Sequence, residues 1–274
     1  MADSESAVLA EVSDGIMTIT LNRPDHGNAW NGPMVRGYFN LLEQASRSPE
    51  VRAIIVTGAG KAFCVGGDGA KLQAVAQTGD IKSAADQPYW FPLSIGKPII
   101  AAINGACFGI GLQQALVSDI RIASADAKFS TAYARRGLVA EMGMSWLLPR
   151  LVGTGHATDL LLSARLVRAA EAERMGLVNK VVPASDLMAE ARAYAAMLVE
   201  NCSPFAMRAI KQQSFEDLTR RFHDSFEHSV KLLDEAFLAP DFKEGMASWQ
   251  ERRPPQFPAL PPELALIAHD HSAS

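Results

Sequence analysis

The sequence predicts an α/β protein with a mainly parallel sheet, followed by a helical C-terminal region. Short, apolar, β-branched runs at residues 51–57, 98–103 and 119–123 mark strands buried on both faces. Helical patterns alternate with those runs, the texture of a parallel sheet crossed by helices. After about residue 185 strand patterns cease and only amphipathic helical patterns follow.

The elements follow in order. Residues 8–12 and 16–21 alternate around Ser13-Asp14-Gly15, and an Asp-Gly pair between alternating segments predicts a hairpin. Residues 34–47 place Val35, Tyr38, Phe39, Leu42 and Ala45 on one helical face. The 51–57 strand stops at Gly58-Ala59-Gly60, and the 98–103 strand stops at Asn104-Gly105. Between them, residues 72–97 have weak periodicity and end in Pro88-Tyr89-Trp90-Phe91-Pro92, which reads as an aromatic lid or an ordinary surface loop. A helix follows over 109–117, then the 119–123 strand. Four further helices are predicted at 187–200, 205–218, 222–238 and 242–252, and residues 258–274 read as a tail. The chain therefore divides into a core domain at 1–185, a helical assembly region at 186–257 and the tail.

Composition excludes several classes. With 274 residues and 48% hydrophobic content, the chain can close a large core without disulfides or metals. Its 26 basic and 30 acidic residues give a net charge of −4 without a basic run, so no nucleic-acid partner is expected. Cys64, Cys107 and Cys202 form no CxxC pair, and His26, His156, His223 and His228 have no metal-ligand spacing, so no metal is expected. The opening residues lack the basic-then-apolar pattern of a signal peptide, and nothing approaches the roughly 18-residue apolar run of a membrane span. A cytoplasmic protein without a membrane partner is expected.

The glycine turns do not fit a nucleotide. Gly58-Ala59-Gly60 would need glycine at Phe63, and Gly109-Ile110-Gly111 would need it at Gln114. A phosphate loop ending at Gly60-Lys61 would need glycine at Ile55 and a hydroxyl at Ala62. What remains is either a packing role or a pair of turns, Gly66-Gly67-Asp68 and Phe108-Gly109-Ile110-Gly111, whose free amides converge as an oxyanion hole.

The segments LNRPDHGNAWN, GAGKAFCVGGDGAKL and KPIIAAINGACFGIGLQQALVSDIRIAS occur in that order, with LLPRLVG, AAEAERMGLVNKVVP and DFKEGMASWQERRPPQF after them. Over residues 6–257 this resembles the enoyl-CoA hydratase/isomerase (crotonase) superfamily. The resemblance implies a ββα spiral core with C-terminal helices, assembly as a homotrimer or dimer of trimers, and acyl-CoA thioesters as ligands. It implies no cofactor beyond the coenzyme A of the substrate. It assigns the enolate-stabilising amides to Gly67 and Ile110, where the family usually has glycine at the second position. It places Arg23, Lys61, Lys71 and Arg252 near the nucleotide part of coenzyme A, with Ala62, Cys64, Asp68 and Gly109 beside the same turns. Lys71 stands one place off the usual lysine, which is Ala70 here, and Arg252 is in a position to come from a neighbouring subunit. Trp30 and Trp90 are candidates for the acyl pocket, while Asp68 and Asp119 also read as turn braces.

The acids depart from the hydratase pattern. Hydratases of this family carry one glutamate in the helix after the second glycine turn and another further along, and here those positions are Gln113 and Tyr133. Glutamine takes up no proton at neutral pH, and tyrosine, with a pKa near about 10, is a poor base. Counting back from Pro149-Arg150-Leu151-Val152-Gly153, Glu141 falls where the isomerases of the superfamily carry their single glutamate. The expectation is double-bond isomerisation with Glu141 as proton shuttle. Hydration by Glu141 alone, C–C hydrolysis, or a catalytically reduced CoA-binding subunit stay open, as does a merely structural carboxylate at a helix start.

Overall fold

Asp14 and Gly15 both take positive φ, 53° and 75°, and turn β1 (Val8–Ser13) back on β2 (Ile16–Leu21) in antiparallel register. This is the hairpin the Asp-Gly pair predicts. The computed structural model describes residues 6–79 and 86–267. Helix α1 (Gly32–Arg47) starts where the Asn31 side chain accepts the Met34 N–H at 3.0 Å, and Pro33 fits its first turn. It buries Val35, Tyr38, Phe39 and Leu42 on the predicted spacing.

The chain then repeats one step. β3 (Ala53–Gly58) is followed by the short β4 (Ala62–Cys64) and α2 (Gly69–Thr78). β5 (Ile99–Ile103), β6 (Ala106–Phe108) and α3 (Ile110–Leu116) repeat it, as do β7 (Ile120–Ser124), β8 (Lys128–Ser130) and α4 (Met144–Ser163). β9 (Val167–Arg168), α5 (Ala169–Arg174) and β10 (Lys180–Val182) bring the chain back. The first strand of each step joins a six-stranded sheet ordered β1-β2-β3-β5-β7-β10, and the second joins a four-stranded sheet ordered β4-β6-β8-β9. This is the ββα spiral that the resemblance implies. Two asparagines brace the corner between the sheets: Asn28 Nδ2 donates to the Ala59 and Ala62 carbonyls at 2.9 and 2.7 Å, and Asn104 Nδ2 donates to the Gly58 carbonyl at 2.9 Å.

The six-stranded sheet is covered on both faces, which is why its strands read as unbroken apolar runs. Ile54, Val56, Ile99 and Ala101 pack toward α1, while Ala53, Ile55, Ile100 and Ala102 pack toward Leu187, Ala191 and Ala195 of α6 (Leu187–Asn201). Lys97 is buried and its ammonium closes the end of α1 by donating to the Ala45 and Ser48 carbonyls at 2.7 and 2.6 Å.

Helices α7 (Pro204–Glu216), α8 (Phe222–Leu238) and α9 (Pro240–Glu251) complete the C-terminal region, and α8 buries none of its residues. The segment read as a tail docks on the body as far as it is described: Leu260, Ala265 and Ile267 are buried, and the Gly96 N–H donates to the Ala265 carbonyl at 2.8 Å. Its residues 268–274 lie outside the described residues. Of the segment read as lid or loop, residues 80–85 also lie outside them. Its start is the second half of α2, and its end packs inward through Phe91 and Pro92, which are buried. Among the described residues no helix is long and apolar enough to cross a membrane, and no His/Cys/Asp/Glu group is arranged to hold a metal ion.

Candidate active site

The two glycine turns meet across the β4–β6 ladder. Gly66 has φ 108°, and Gly109 has φ 51° with ψ −118°, conformations that a side chain disfavours. A Cβ on Gly111 would overlap the Cys64 carbonyl, so the first turn of α3 sits directly against the end of β4. Trp30 and Gly67 pair as a parallel bridge, in which the Trp30 N–H donates to the Gly66 carbonyl at 2.8 Å and the Asp68 N–H donates to the Trp30 carbonyl at 3.3 Å. Those bonds use the neighbours of Gly67, so its own N–H faces the opposite edge. Ile110 is the first residue of α3, and an N–H there has no carbonyl one turn earlier to accept it. Gly67 and Ile110 line one cavity of about 250 Å³.

Tyr133, Arg136, Leu138, Glu141 and Met142 form the facing wall of that cavity. Glu141 is half-buried just ahead of α4, its carbonyl accepting the Met144 N–H at 3.0 Å, and burial pushes its carboxyl above the usual range. Tyr133 is buried, and burial first, then the Glu141 charge, pushes its phenol above the ordinary tyrosine value. It stays protonated at neutral pH, a donor rather than a base. The Tyr133 hydroxyl and Trp30 Nε1 are both buried without a partner among the described residues.

Asp68 also borders the cavity, with the opposite electrostatics. It caps α2 by accepting the Ala70 N–H at 3.1 Å and pairs with Arg23 at 3.0 Å. Burial alone would raise its carboxyl, but the Arg23 hydrogen bond and the helix amides hold it below the usual range. Its brace reading is the one the geometry carries.

The structure thus brings Trp30, Gly67, Asp68, Lys71, Gly109, Ile110, Tyr133 and Glu141 to one cavity. The other residues read from the sequence lie elsewhere. Gln113 is fully buried behind the wall, with its amide on the Met142 carbonyl at 3.1 Å. Ala62 and Cys64 are buried in β4, and burial pushes the Cys64 thiol up to about 12. Arg23 also donates to the Ala29 carbonyl at 2.7 Å and is occupied as a brace. Lys61 is exposed at the corner before β4, and Arg252 is exposed at the left-handed cap of α9. Trp90 is 38% exposed and lies outside the lining of the cavity among the described residues, while Phe91 and Pro92, its neighbours, turn inward. Asp119 accepts from Lys211 at 2.8 Å and from the Ile99 N–H at 2.7 Å, a brace as read. A larger cavity of about 500 Å³ between α4, α6 and α7 holds Trp146 but none of the predicted catalytic residues.

Sequence reasoning passes over Leu72, Val75, Arg136, Leu138 and Met142 in the cavity wall. For Arg136 the one available signal is a cation placed between Tyr133 and Glu141 in the chain. It has no ion pair among the described residues.

Comparison with known proteins places the chain among relatives of one family. Residues 11–259 match a family model described as enoyl-CoA hydratase/isomerase. A Mycobacterium tuberculosis protein named probable enoyl-CoA hydratase echA8 is 37% identical over 255 residues, covering 91% of this chain and 97% of that protein. The 1,2-epoxyphenylacetyl-CoA isomerase of Escherichia coli is 32% identical over 259 residues, covering 91% and 97%. A crystal structure of an enoyl-CoA hydratase from Bacillus anthracis superposes with a TM-score of 0.82 at 28% identity, over 92% of this chain and 99% of that one.

Proposed function

The chain belongs to the enoyl-CoA hydratase/isomerase family, and from that premise we propose that it moves the double bond of an enoyl-CoA thioester, with Glu141 as the proton shuttle. One observation carries the choice. Two carboxylates border the cavity, and their surroundings push them apart: Asp68 is held low by Arg23 and capped amides, while Glu141 is raised by burial and makes no ion pair among the described residues. A carboxylate raised toward neutrality both takes and returns a proton with little energetic loss.

In the proposed reaction Glu141 removes a proton from C2 of a 3-enoyl thioester. The electron pair moves onto the thioester oxygen, which the Gly67 and Ile110 N–H groups hold as an enolate, each donor contributing about 2.7–4 kcal/mol. The protonated Glu141 then delivers its proton to C4, leaving the 2-enoyl thioester and the starting enzyme. Tyr133, kept neutral, supplies a hydrogen-bond donor beside the base. Lys71 and Arg136 are the cations at the cavity for the phosphates of coenzyme A, with Lys61 and Arg252 further out. The proposed enzyme needs no cofactor beyond the coenzyme A of its substrate, works in the cytoplasm, and assembles as a homotrimer or dimer of trimers, a reading supported by the open apolar side of α8.

A second reading, hydration of a 2-enoyl thioester with Glu141 as sole acid and base, is favoured by the relatives named hydratases. Incubation with 3-enoyl-CoA and with 2-enoyl-CoA separately decides between them. Isomerisation predicts 2-enoyl product from the first and no hydroxyacyl product from the second. Formation of 3-hydroxyacyl-CoA from 2-enoyl-CoA without double-bond migration would overturn it in favour of hydration.

A further inference from the structure

Gln113 stands fully buried three residues after Ile110 in α3, and its amide reaches across the chain to the backbone next to Glu141. Its Nε2 donates to the Met142 carbonyl at 3.1 Å, while its Oε1 accepts from Gln114 Nε2 at 2.7 Å. Gln114 Nε2 also donates to the Tyr89 carbonyl at 2.9 Å. Carbonyls accept only, so a single orientation of the amide pair serves both the Met142 and the Tyr89 carbonyl, and it leaves Gln114 Oε1 buried without a partner among the described residues. Met142 itself has φ 53°, and Gly143 after it has φ 76°. A non-glycine residue in the left-handed region persists when its surroundings over-determine it. The Gln113 amide is one of the groups that do so.

We propose that Gln113 is a positioning residue, which clamps the Met142 carbonyl and thereby sets the distance from Glu141 to the oxyanion amides. One helix then fixes both halves of the site: its first residue, Ile110, supplies an oxyanion donor, and its Gln113 holds the loop that bears the base. This rests on the reading of Glu141 as the proton shuttle. It also gives a reason for an amide where hydratases keep a glutamate. An ionised carboxylate at 113 has no donor for the Met142 carbonyl and would set a negative oxygen against that carbonyl oxygen.

Two variants test it, Gln113→Met and Gln113→Glu. For Gln113→Met, kcat for 3-enoyl-CoA falls at least about tenfold, since a small misplacement of a reacting group costs up to about 10²-fold. KM changes by less than about threefold. Amide hydrogen exchange over residues 140–144 speeds up by at least about tenfold, while strands β3 and β5 stay protected. Gln113→Glu works at low pH, where a protonated carboxyl donates its O–H to Met142, and loses activity as pH rises through its own ionisation, which burial raises. Titratable groups packed on α3 are few. Cys64 and Cys107 on β4 and β6 are both pushed up by burial, Tyr133 is raised, and Arg150, His156 and Asp159 of α4 are exposed. Glu141 is therefore the shared acidic limb, and the wild-type profile subtracts it.

Unchanged kcat and unchanged exchange in Gln113→Met would overturn the clamp, as would a Gln113→Glu profile parallel to wild type. Full activity of Glu141→Gln beside faster loop exchange in Gln113→Met would instead sink the reading of Glu141 and leave the clamp standing. Should Gln113→Met not fold, the near-isosteric Gln113→Glu profile decides alone.

Discussion

Helices α1 and α8 are nearly equal in length, 16 and 17 residues, and each carries an apolar stripe, yet one buries its stripe and the other, among the described residues, leaves it exposed. α1 buries Met34, Val35, Tyr38, Phe39 and Leu42, whereas Phe222, Phe226, Val230, Leu233 and Phe237 stand open at helical spacing along α8. Singly exposed apolar residues are normal, but a continuous stripe marks a surface meant to be covered. The contrast teaches that the spiral core is finished by its own packing, whereas the C-terminal helices leave an apolar face open among the described residues. The site belongs to the finished half, because every residue lining its cavity lies between Trp30 and Met142.

That division can be broken or sharpened by experiment. The largest effect falls on Glu141→Gln, which should lower kcat by about 10²–10⁴-fold with the fold intact, measured by isomerisation rate and thermal melting side by side. In the wild type the base form of Glu141 is lost on acidification above the usual carboxylate range, so the acid limb of kcat/KM should sit above the ordinary 4.5. The sign for stability follows from the same shift. The native state holds this proton more tightly, so the Glu141 contribution weakens stability as pH rises from the unfolded to the folded value, then stays constant. Glu141→Gln should remove that pH-dependent part from a set of melting curves.

Ile110→Pro comes next. Proline is accepted at a first helical position but has no N–H, so kcat should fall by about 10²–10³-fold while CoA binding persists. Wild-type turnover in this variant would take the oxyanion role from Ile110.

On the other half of the comparison, Phe226→Glu puts a charge in the open stripe of α8. Sedimentation should show the assembly shifting toward smaller species, with melting of the core sheet little changed. An unaltered mass would mean that the stripe is not the covered surface. The smallest effect belongs to Asp68→Ala, which removes the α2 cap and the Arg23 pair and should cost about 1–2 kcal/mol in a denaturant titration.

How much of this is legible in the residues depends on length and on burial. β3 and β5 are readable because an unbroken run of four or five apolar residues is needed to fill both faces of a covered sheet. β4, β6, β8 and β9 have two or three residues each, too few to show any period, so the second sheet leaves no trace in the sequence. α2 goes unread because it buries nothing and therefore has no apolar face, and α4 because Pro149 and the non-helical Gly153 break its pattern. In the site, the turn glycines are visible since the demands of a turn are local, while Glu141 is picked out by its register in the family resemblance. The bond from Gln113 to Met142 spans 29 residues and the placement of Arg136 depends on how the wall folds over, and no spacing rule carries either.

The way β10 closes the six-stranded sheet has a bearing on how this protein comes apart. β10 is held to β7 by three residue pairs, Lys180–Ile122, Val181–Ala123 and Val182–Ser124, and the chain between those strands carries Tyr133, Glu141 and α4. Gly67 and Ile110 hang instead on the β3 and β5 ladders, which form earlier along the chain and are longer on the β2–β3 side. Cooperative opening units tend to follow such boundaries. Release of the short terminal ladder leaves the segment that bears the base tied to the thioester cradle through β8 on the β6 edge and through the Gln113 amide on Met142. On heating, those few ties decide how long the two walls of the cavity stay in register once β10 has left the sheet.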